Sequence, residues 1–185
     1  NNLKPSVLKA GEKIMDVYKK GPKKEIKTDG SPVTEADKDA EEIILTALKK
    51  VAPEILIISE ENAISHEKAA EKRFFLVDPL DGTKEFLKKD GKGCFTVNIS
   101  LIENNTPSMG IVYAPALDQM FFGCKNFGAW KTVNGKSTRI SARKTQRGKI
   151  IAVTSASHQD PETTNWLEKN NIATTKYIGS SLKFC

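Results

Sequence analysis

Hydrophobic residues recur along this chain at helical spacing in two places and at strand-like spacing in several others. The first helical stretch covers residues 1–20 and ends where Gly21 and Pro22 interrupt the pattern. A second helix is predicted after Thr34, which can cap it, and its apolar face continues to Val51. The sequence therefore predicts two amphipathic helices near its amino-terminal end.

Short apolar runs with the composition of strands follow the second helix. Residues 55–58 and 74–77 are rich in the β-branched and aromatic residues typical of buried strands. After Cys94 the hydrophobic and polar residues alternate, which predicts an antiparallel meander that includes Trp130. Residues 150–178 then predict a strand, a helix and a strand, the opening of an α/β unit.

A polar and basic stretch, residues 139–149, separates the meander from the α/β unit and is the predicted linker. The chain is thus expected to form an α+β domain over residues 1–147 and the beginning of an α/β domain over residues 148–185. With 185 residues, of which 38% are hydrophobic, it can bury one sizeable core, or one core and the start of another.

The net charge of +6 admits a nucleic acid, an anionic membrane or an anionic small molecule as a partner. The lysines are scattered and lack interleaved aromatic residues, so most are expected to lie on a solvated surface. No specific nucleic-acid binding is predicted. The sequence does not determine the oligomeric state.

Three widely separated cysteines, Cys94, Cys124 and Cys185, form neither a disulfide framework nor a zinc motif. Their pattern favours a reducing, cytoplasmic environment. No segment approaches transmembrane length, and peripheral contact with the inner membrane face is left open.

The stretch with the most chemistry lies where the apolar residues 74–77 give way to Asp78 and Asp81. The Asp-Pro and Asp-Gly pairs predict a sharp turn at the end of a strand. Across that turn the two carboxylates can point, together with the Leu80 carbonyl, at one position. Oxygen ligands of this kind suit hard cations such as Mg²⁺. Most such turns in soluble proteins bind nothing, so the turn alone also fits an ordinary loop.

The next two residues extend the prediction from a metal to phosphate. Gly82 would let a ligand approach the backbone, and Thr83 is a candidate helix N-cap whose following amides would face that ligand. Backbone amides at the start of a helix favour phosphate. A metal and a phosphate group are therefore predicted to meet at this turn.

Four motifs in order carry a family resemblance: Ser-Pro-Val-Thr-x-Ala-Asp at residues 31–37, Val-Asp-Pro-Leu-Asp-Gly-Thr-Lys-Glu-Phe at 77–86, Phe-Thr-Val-Asn-Ile at 95–99, and Gly-Ser-Ser-Leu-Lys-Phe-Cys at 179–185. The chain resembles the lithium-sensitive, Mg²⁺-dependent phosphatases of the inositol monophosphatase superfamily, which includes fructose 1,6-bisphosphatase. It is most similar to the bacterial 3'(2'),5'-bisphosphate nucleotidases.

This resemblance implies a layered sandwich of the sugar-phosphatase type, in which α and β layers alternate. The family's later Trp-Asp-x-Ala-Ala motif, whose aspartate completes the metal site, does not occur before Cys185. The second α/β domain is therefore expected to be present only in part, truncated before that motif.

The resemblance also implies roles for individual residues. Two or three Mg²⁺ ions would be held by Glu60, Asp78, the Leu80 carbonyl and Asp81. Asp37 would hydrogen-bond Thr83, which would orient or deprotonate the attacking water, so these two and Glu60 are the implied catalytic residues. From the residues alone, Asp37 is better explained as an acid that favours the dipole of the second helix.

The implied substrate contacts are Glu60, Leu80, Asp81, Gly82, Thr83, Gly179, Ser180 and Ser181. Lys84 and Lys183 are candidates, from their charge alone, for contact with a second phosphate. The expected activity is hydrolysis of a small phosphorylated nucleotide, adenosine 3',5'-bisphosphate, to AMP and phosphate by metal-activated water.

Two alternatives stay open at this point. One is an inositol monophosphatase of the same superfamily. The other, from a different class, is a non-catalytic module in which the acidic turn holds a structural cation and the basic surface binds RNA or a membrane.

Overall fold

The computed structural model describes residues 2–27, 30, 32–67, 71–142, 144, 150–157, 160–170, 172 and 174–185. Its elements before the main sheet are α1 (Lys4–Lys20), β1 (Lys24–Ile26), β2 (Pro32–Thr34) and α2 (Glu35–Val51). The main sheet consists of β3 (Leu56–Ser59), β4 (Arg73–Asp81), β5 (Thr96–Glu103), β6 (Thr106–Ala114), β7 (Gln119–Cys124), β8 (Gly128–Val133) and β9 (Lys136–Ile140). Two short helices interrupt this series, α3 (Ala63–His66) and α4 (Thr83–Lys88).

The seven strands lie side by side in chain order. The first two, β3 and β4, are parallel, and every later neighbour is antiparallel, so the predicted meander is confirmed. Helices α1 and α2 pack against each other and against β4, β5 and β6. Alternate side chains of the central strands, such as Phe75 and Val97, join Ile14 and Ile44 of the helices in one hydrophobic core.

Helix α2 begins as its sequence predicts. The Thr34 hydroxyl accepts a hydrogen bond from the Ala36 amide, and the Asp37 carboxylate accepts one from the Thr34 amide. This reciprocal arrangement is a capping box, which satisfies backbone N–H groups that have no partner within the helix. Asp37 is therefore held in a fixed position at the start of a long, buried helix.

Helix α4 is anchored by an aromatic cluster. Phe86 of α4 packs against Tyr18 of α1 and against Phe95, with ring centroids 5.4 and 5.2 Å apart, and Tyr18 and Phe95 lie 5.1 Å apart. Phe86 and Phe95 are fully buried. Because α4 follows Asp81 and Gly82 directly, this cluster also fixes the backbone on which the acidic residues lie.

The carboxyl-terminal part contains β10 (Ile151–Ser155), α5 (Pro161–Lys169) and β11 (Thr174–Ile178), which confirms the predicted strand, helix and strand. β10 and β11 pair in parallel, so their carboxyl ends meet at one edge. The proposed boundary between residues 147 and 148 falls outside the described residues, and the division into two domains stays a prediction. Within the described residues, no helix is both long and apolar enough to cross a membrane.

The structure differs from the sequence prediction in three places. Strand β4 does not stop before Asp78 but continues to Asp81, with a break in its pairing to β5 between these two residues. Pro79 lies in that break and has no N–H to donate, so a bulge replaces the predicted sharp turn. The stretch between the two amino-terminal helices, for which no strand was predicted, contains the β1–β2 pair.

The third difference concerns the linker. Its first two residues belong to β9, a strand whose residues are all exposed and which therefore has no apolar alternation to reveal it. Residues 143 and 145–149 of the predicted linker lie outside the described residues.

Candidate active site

Parallel pairing of β3 and β4 brings the first acidic residue to the other two. Ser59 lies opposite Val77, and the Glu60 amide donates a hydrogen bond of 3.0 Å to the Val77 carbonyl. Glu60 therefore follows β3 at the level where Asp78 occurs in β4. The bulge then turns the backbone so that Asp78 pairs with Asn98 and Asp81 with Thr96.

The electrostatics of these acids show that they crowd one another. Burial, and after it the charges of the nearby Glu60 and Asp81 carboxylates, together raise the pKa of Asp78 to about 8. Burial also raises the pKa of Asp81, although the Ser181 amide and the Lys183 ammonium group oppose that rise. Half-buried acids that disfavour their own ionisation are stabilised when a cation joins them.

The donor set fits Mg²⁺ in its chemistry, because it contains only carboxylate and carbonyl oxygens. The side chains are not arranged as a complete metal site, since among the described residues no three His, Cys, Asp or Glu side chains form a metal-binding group. The Glu60 side chain is 54% exposed, and its Oε1 lies 3.6 Å from the Lys27 Nζ. The Glu60 carboxylate nevertheless lies close enough to Asp78 to raise the pKa of that residue, so it is placed to share a cation with Asp78 and Asp81.

Lys27 and Glu61 are site neighbours that the sequence analysis did not single out. The Lys27 Nζ donates a hydrogen bond of 2.7 Å to Glu61 Oε1, and the Glu61 side chain is only 10% exposed. Glu61 is thus the more buried member of the adjacent acid pair, whereas Glu60 is the one free to reorient. A lysine in a short strand-flanking loop carries no pattern that would have identified it.

The predicted pair of Asp37 and Thr83 lies close together in the structure. The Thr83 hydroxyl is 3.4 Å from Asp37 Oδ1 and 3.2 Å from the Leu80 carbonyl oxygen. A hydroxyl has one proton, so it donates to one of these acceptors at a time and keeps lone pairs for another donor such as water. Asp37 uses its other oxygen, Oδ2, for the capping box.

Thr83 is not the N-cap of α4, and that prediction is wrong. The N-cap is Gly82, whose φ of 88° lies in the left-handed region, and no side chain caps the helix. The Thr83 hydroxyl instead faces Asp37 and Leu80. A Cβ on Gly82 would lie 2.9 Å from the Cys94 carbonyl oxygen and 3.2 Å from the Ser180 Cβ. Only glycine fits this close approach of two backbones.

The segment 179–181, here called the serine segment, packs directly on the acidic residues. The Ser181 amide donates a hydrogen bond to Asp81 Oδ2. The Ser181 hydroxyl donates to Asn98 Oδ1 at 2.6 Å and lies 2.9 Å from the Thr96 hydroxyl. Contacts between residues 83 to 100 positions apart thus assemble the two predicted parts of the site.

Thr96 and Asn98 were quoted in the sequence only as part of a motif, with no role of their own. They alternate with buried Val97 and Ile99, so their side chains lie on the opposite face of β5 from the helices. Polar residues at consecutive positions on one face of a central strand are the pattern that could have identified them.

A cleft of about 260 Å³ opens between these parts, and its lining includes Glu60, Asp81, Gly82, Thr83, Lys84, Ser180 and Lys183. Lys183 lies within this cleft, where its Nζ donates a hydrogen bond of 2.6 Å to the Ser180 carbonyl. The cleft joins crowded carboxylates with two lysines, and this suits a phosphorylated small molecule accompanied by a cation.

Replacement of Asp78 by asparagine is expected to stabilise the metal-free protein at alkaline pH. The native pKa of Asp78, raised to about 8 mainly by burial, exceeds the ordinary aspartate value of 3.8. The folded state therefore binds a proton that the unfolded state releases, and this contribution to stability is lost as the pH rises through about 8. Urea unfolding curves are measured in EDTA at pH 6 and pH 9. The free energy of unfolding should fall less between these two pH values for Asp78→Asn than for the wild type.

Addition of Mg²⁺ at alkaline pH should make the wild type more stable than Asp78→Asn, the reverse of the order of stability expected in EDTA. The wild type gains stability by binding the ion, whereas Asp78→Asn has lost a ligand and gains little. Asp90→Asn, at an exposed aspartate in the loop after α4, is the matched control and should follow the wild type. An Asp78→Asn protein with the wild-type pH profile in EDTA would contradict the crowding of the three acids.

Comparisons with known proteins identify the family of this chain. The model of the inositol monophosphatase family matches residues 3–185. The 3'(2'),5'-bisphosphate nucleotidase CysQ of Salmonella typhimurium is 44% identical over 179 residues, which cover 95% of this chain and 71% of that protein. The enzyme of the same name from Escherichia coli (strain K12) is 40% identical over the same shares.

Solved structures give the same result for the fold. CysQ from Bacteroides thetaiotaomicron, described as a bacterial member of the inositol monophosphatase family, superposes with a TM-score of 0.77 at 34% identity, covering 97% of this chain and 72% of its own. An IMPase from Thermotoga maritima also gives 0.77, at 25% identity, over 97% and 68%. The layered α and β fold implied by the four motifs is confirmed, and the chain belongs to the inositol monophosphatase family.

Proposed function

We propose that this protein is a Mg²⁺-dependent 3'(2'),5'-bisphosphate nucleotidase that hydrolyses adenosine 3',5'-bisphosphate to AMP and phosphate. The observation that carries the proposal is a cleft lined by Glu60, Asp81 and Thr83. Asp78 lies beside the two acids of that cleft, and Asp37 lies 3.4 Å from the Thr83 hydroxyl. The choice of substrate rests on the relatives that are 40% and 44% identical and carry this enzyme name. A cytoplasmic location and a small phosphorylated nucleotide as the partner belong to the same proposal.

The metal would be held by Glu60, Asp78, Asp81 and the Leu80 carbonyl. Bound Mg²⁺ lowers the pKa of a coordinated water and neutralises charge on the phosphoryl and leaving oxygens. The number of ions, two or three, is part of the proposal. The protein's own contribution is to fix Asp78 and Asp81 on β4 and to place Glu60 beside them at the end of β3.

Thr83 orients the attacking water. Its hydroxyl donates toward Asp37 or the Leu80 carbonyl and keeps a lone pair that can accept a hydrogen bond from water. When the water gives its proton to the Thr83 oxygen, the Thr83 proton passes to the Asp37 carboxylate. Asp37 is buried and fixed by the capping box, so it holds the Thr83 side chain in one orientation. This pairing of a hydroxyl with a buried acid provides general-base assistance at the phosphate.

The backbone amides of Gly82 and Thr83 bind the phosphate that is cleaved, and the serine segment forms the opposite wall for the nucleoside. Lys183 lines the same cleft, and its Nζ donates a hydrogen bond to the Ser180 carbonyl of that wall. Its positive charge therefore lies beside the predicted nucleoside site, where it can bind the second phosphate. A substrate with two phosphates is therefore bound by cationic groups at both ends, the metal at one and Lys183 at the other.

Measurement of phosphate release tests the proposal. The protein should hydrolyse adenosine 3',5'-bisphosphate in the presence of Mg²⁺ and should lose this activity in EDTA. Inositol 1-phosphate and fructose 1,6-bisphosphate, each assayed with and without Mg²⁺, should be hydrolysed more slowly. Faster hydrolysis of inositol 1-phosphate would replace the proposal with the inositol phosphatase alternative.

The binding-module alternative has its own test. Association with RNA or an anionic vesicle through phosphate contacts should weaken steeply as salt is raised. A Mg²⁺-centred hydrolase depends first on Mg²⁺. Salt-sensitive binding without any Mg²⁺-dependent phosphate release would exclude the enzyme.

Lithium is expected to inhibit the enzyme. A small monovalent ion in one of the Mg²⁺ positions leaves charge on the leaving oxygen or the product phosphate uncompensated. Turnover should fall as LiCl is raised at fixed Mg²⁺, and KCl at the same ionic strength should have little effect. Unchanged turnover in LiCl well above the Mg²⁺ concentration would count against the proposed metal mechanism.

A further inference from the structure

Helix α4 contacts the carboxyl-terminal part of the chain through two side chains that the proposed mechanism does not use. The Lys88 Nζ donates a hydrogen bond of 2.8 Å to the Ser157 hydroxyl, and that hydroxyl donates to Glu85 Oε1. Glu85 and Lys88 are one helical turn apart on α4, whereas Ser157 follows β10. The three side chains form a link across two parts of the chain, here called the clasp.

The Glu85 side chain is buried and closely surrounded by backbone. Glu85 is only 8% exposed, although it is an acid. A Cβ on Gly179 would lie 2.6 Å from the Glu85 Cγ and 2.9 Å from its Cδ, and a Cβ on Gly82 would lie 3.4 Å from its Oε2. The side chain of Glu85 therefore runs between two glycines, one beside the acidic residues and one at the start of the serine segment.

The parallel pairing of β10 and β11 explains how one side chain reaches both strands. Ser155, at the end of β10, lies opposite Ile178, at the end of β11. Ser157 and Gly179 follow these two ends and therefore lie at the same edge. Glu85 accepts a hydrogen bond from Ser157 and packs against Gly179.

We infer that Glu85 is a positioning residue that, with Lys88 and Ser157, holds the serine segment against the acidic residues. Ser181, at one end of this segment, is held by Asp81 and Asn98, and the clasp holds the other end at Gly179. Glu85 also lines the cleft, but its positioning role acts through Ser157 and Gly179. A variant of Ser157, which is not among the lining residues, therefore isolates that role. The effect on substrate binding rests on the proposed function, whereas the placement of the segment does not.

Hydrogen exchange tests the placement without any assay of activity. Ser157→Ala removes the shared hydroxyl and leaves Glu85 and Lys88 to pair with each other on α4. Exchange at the amides of residues 179–181 should then become about tenfold faster, as expected for loss of a hydrogen bond to charged groups. Exchange in β4 should not change.

The matched control is Ser108→Ala, which removes a hydroxyl that donates to the Leu101 carbonyl at 3.2 Å on the meander. It should leave exchange at residues 179–181 unchanged. Equal exchange in wild type and Ser157→Ala would overturn the inference, even if the protein proves to be the proposed nucleotidase.

Kinetics at saturating Mg²⁺ test the consequence for substrate. Glu85→Gln keeps a side-chain oxygen that can accept from Ser157, whereas Glu85→Ala does not. We expect Glu85→Ala to raise KM about tenfold or more with a smaller fall in kcat, and Glu85→Gln to remain within about threefold of the wild type, because loss of a positioned wall weakens ground-state binding first. A Glu85→Ala variant with faster exchange but wild-type KM would overturn the positioning role. An equal rise in KM for Glu85→Ala and Glu85→Gln would overturn it too.

Discussion

Asp81→Asn is expected to lower turnover by about a thousandfold or more while leaving the fold intact, because an amide is a much poorer Mg²⁺ ligand than a carboxylate. The substitution is well suited to isolate the metal function. Asparagine keeps the shape and retains an oxygen that can still accept the hydrogen bond from the Ser181 amide. The contact between the serine segment and β4 is therefore preserved.

The measurement is kcat for adenosine 3',5'-bisphosphate across a range of Mg²⁺ concentrations, with a urea unfolding curve for each protein. Asp90→Asn is again the control, because it makes the same chemical change in an exposed loop. A variant that retained more than about a tenth of wild-type turnover at saturating Mg²⁺ would remove Asp81 from the metal site.

Thr83→Val should lower turnover by about a hundredfold to ten-thousandfold, which is the usual contribution of a positioned group in proton transfer. Valine has the shape of threonine but has no hydroxyl, so water loses its oriented partner. Asp37 keeps the hydrogen bonds from Thr34 and with them its place at the start of α2. The free energy of unfolding should therefore change far less than the rate.

Thr83→Ser supplies the test by rescue, since it restores a hydroxyl at the same position and should recover most of the turnover. Thr138→Val, at an exposed threonine of β9 whose hydroxyl is 3.4 Å from the Lys131 carbonyl, is the matched control. If Thr83→Val and Thr83→Ser were equally impaired, the methyl packing and not the hydroxyl would be the essential feature.

Periodic patterns predicted most of the fold, because burial imposes them. The apolar faces of α1 and α2 and the alternation in β5 and β6 arise from packing in one core. β9 has no buried side chain, so it left no pattern. Pro79 and the aspartates around it were interpreted by their local preference for turns, whereas pairing with β5 on either side keeps them within a strand.

The site could be predicted only as far as its chemistry lies in short motifs. Asp78, Leu80 and Asp81 are near neighbours in the chain, and the structure places them around the bulge as one unit. The contact between Ser181 and Asp81 spans 100 positions, and no local pattern encodes it. The same holds for the ion pair that turns Glu60 toward Lys27, since the pairing depends on where a separate loop lies.

The double use of Asp37 has a consequence for how this enzyme tolerates change. One carboxylate oxygen caps a seventeen-residue helix and the other faces Thr83, so most substitutions of Asp37 would disturb the helix start together with the contact to Thr83. Asparagine is the exception, because its oxygen can still accept from Thr34 while its NH₂ group turns toward the Thr83 hydroxyl. A variant library selected for folding alone, with no demand for activity, should therefore retain aspartate or asparagine at position 37. At position 81 it should accept asparagine as readily as aspartate, since either residue offers an oxygen to the Ser181 amide.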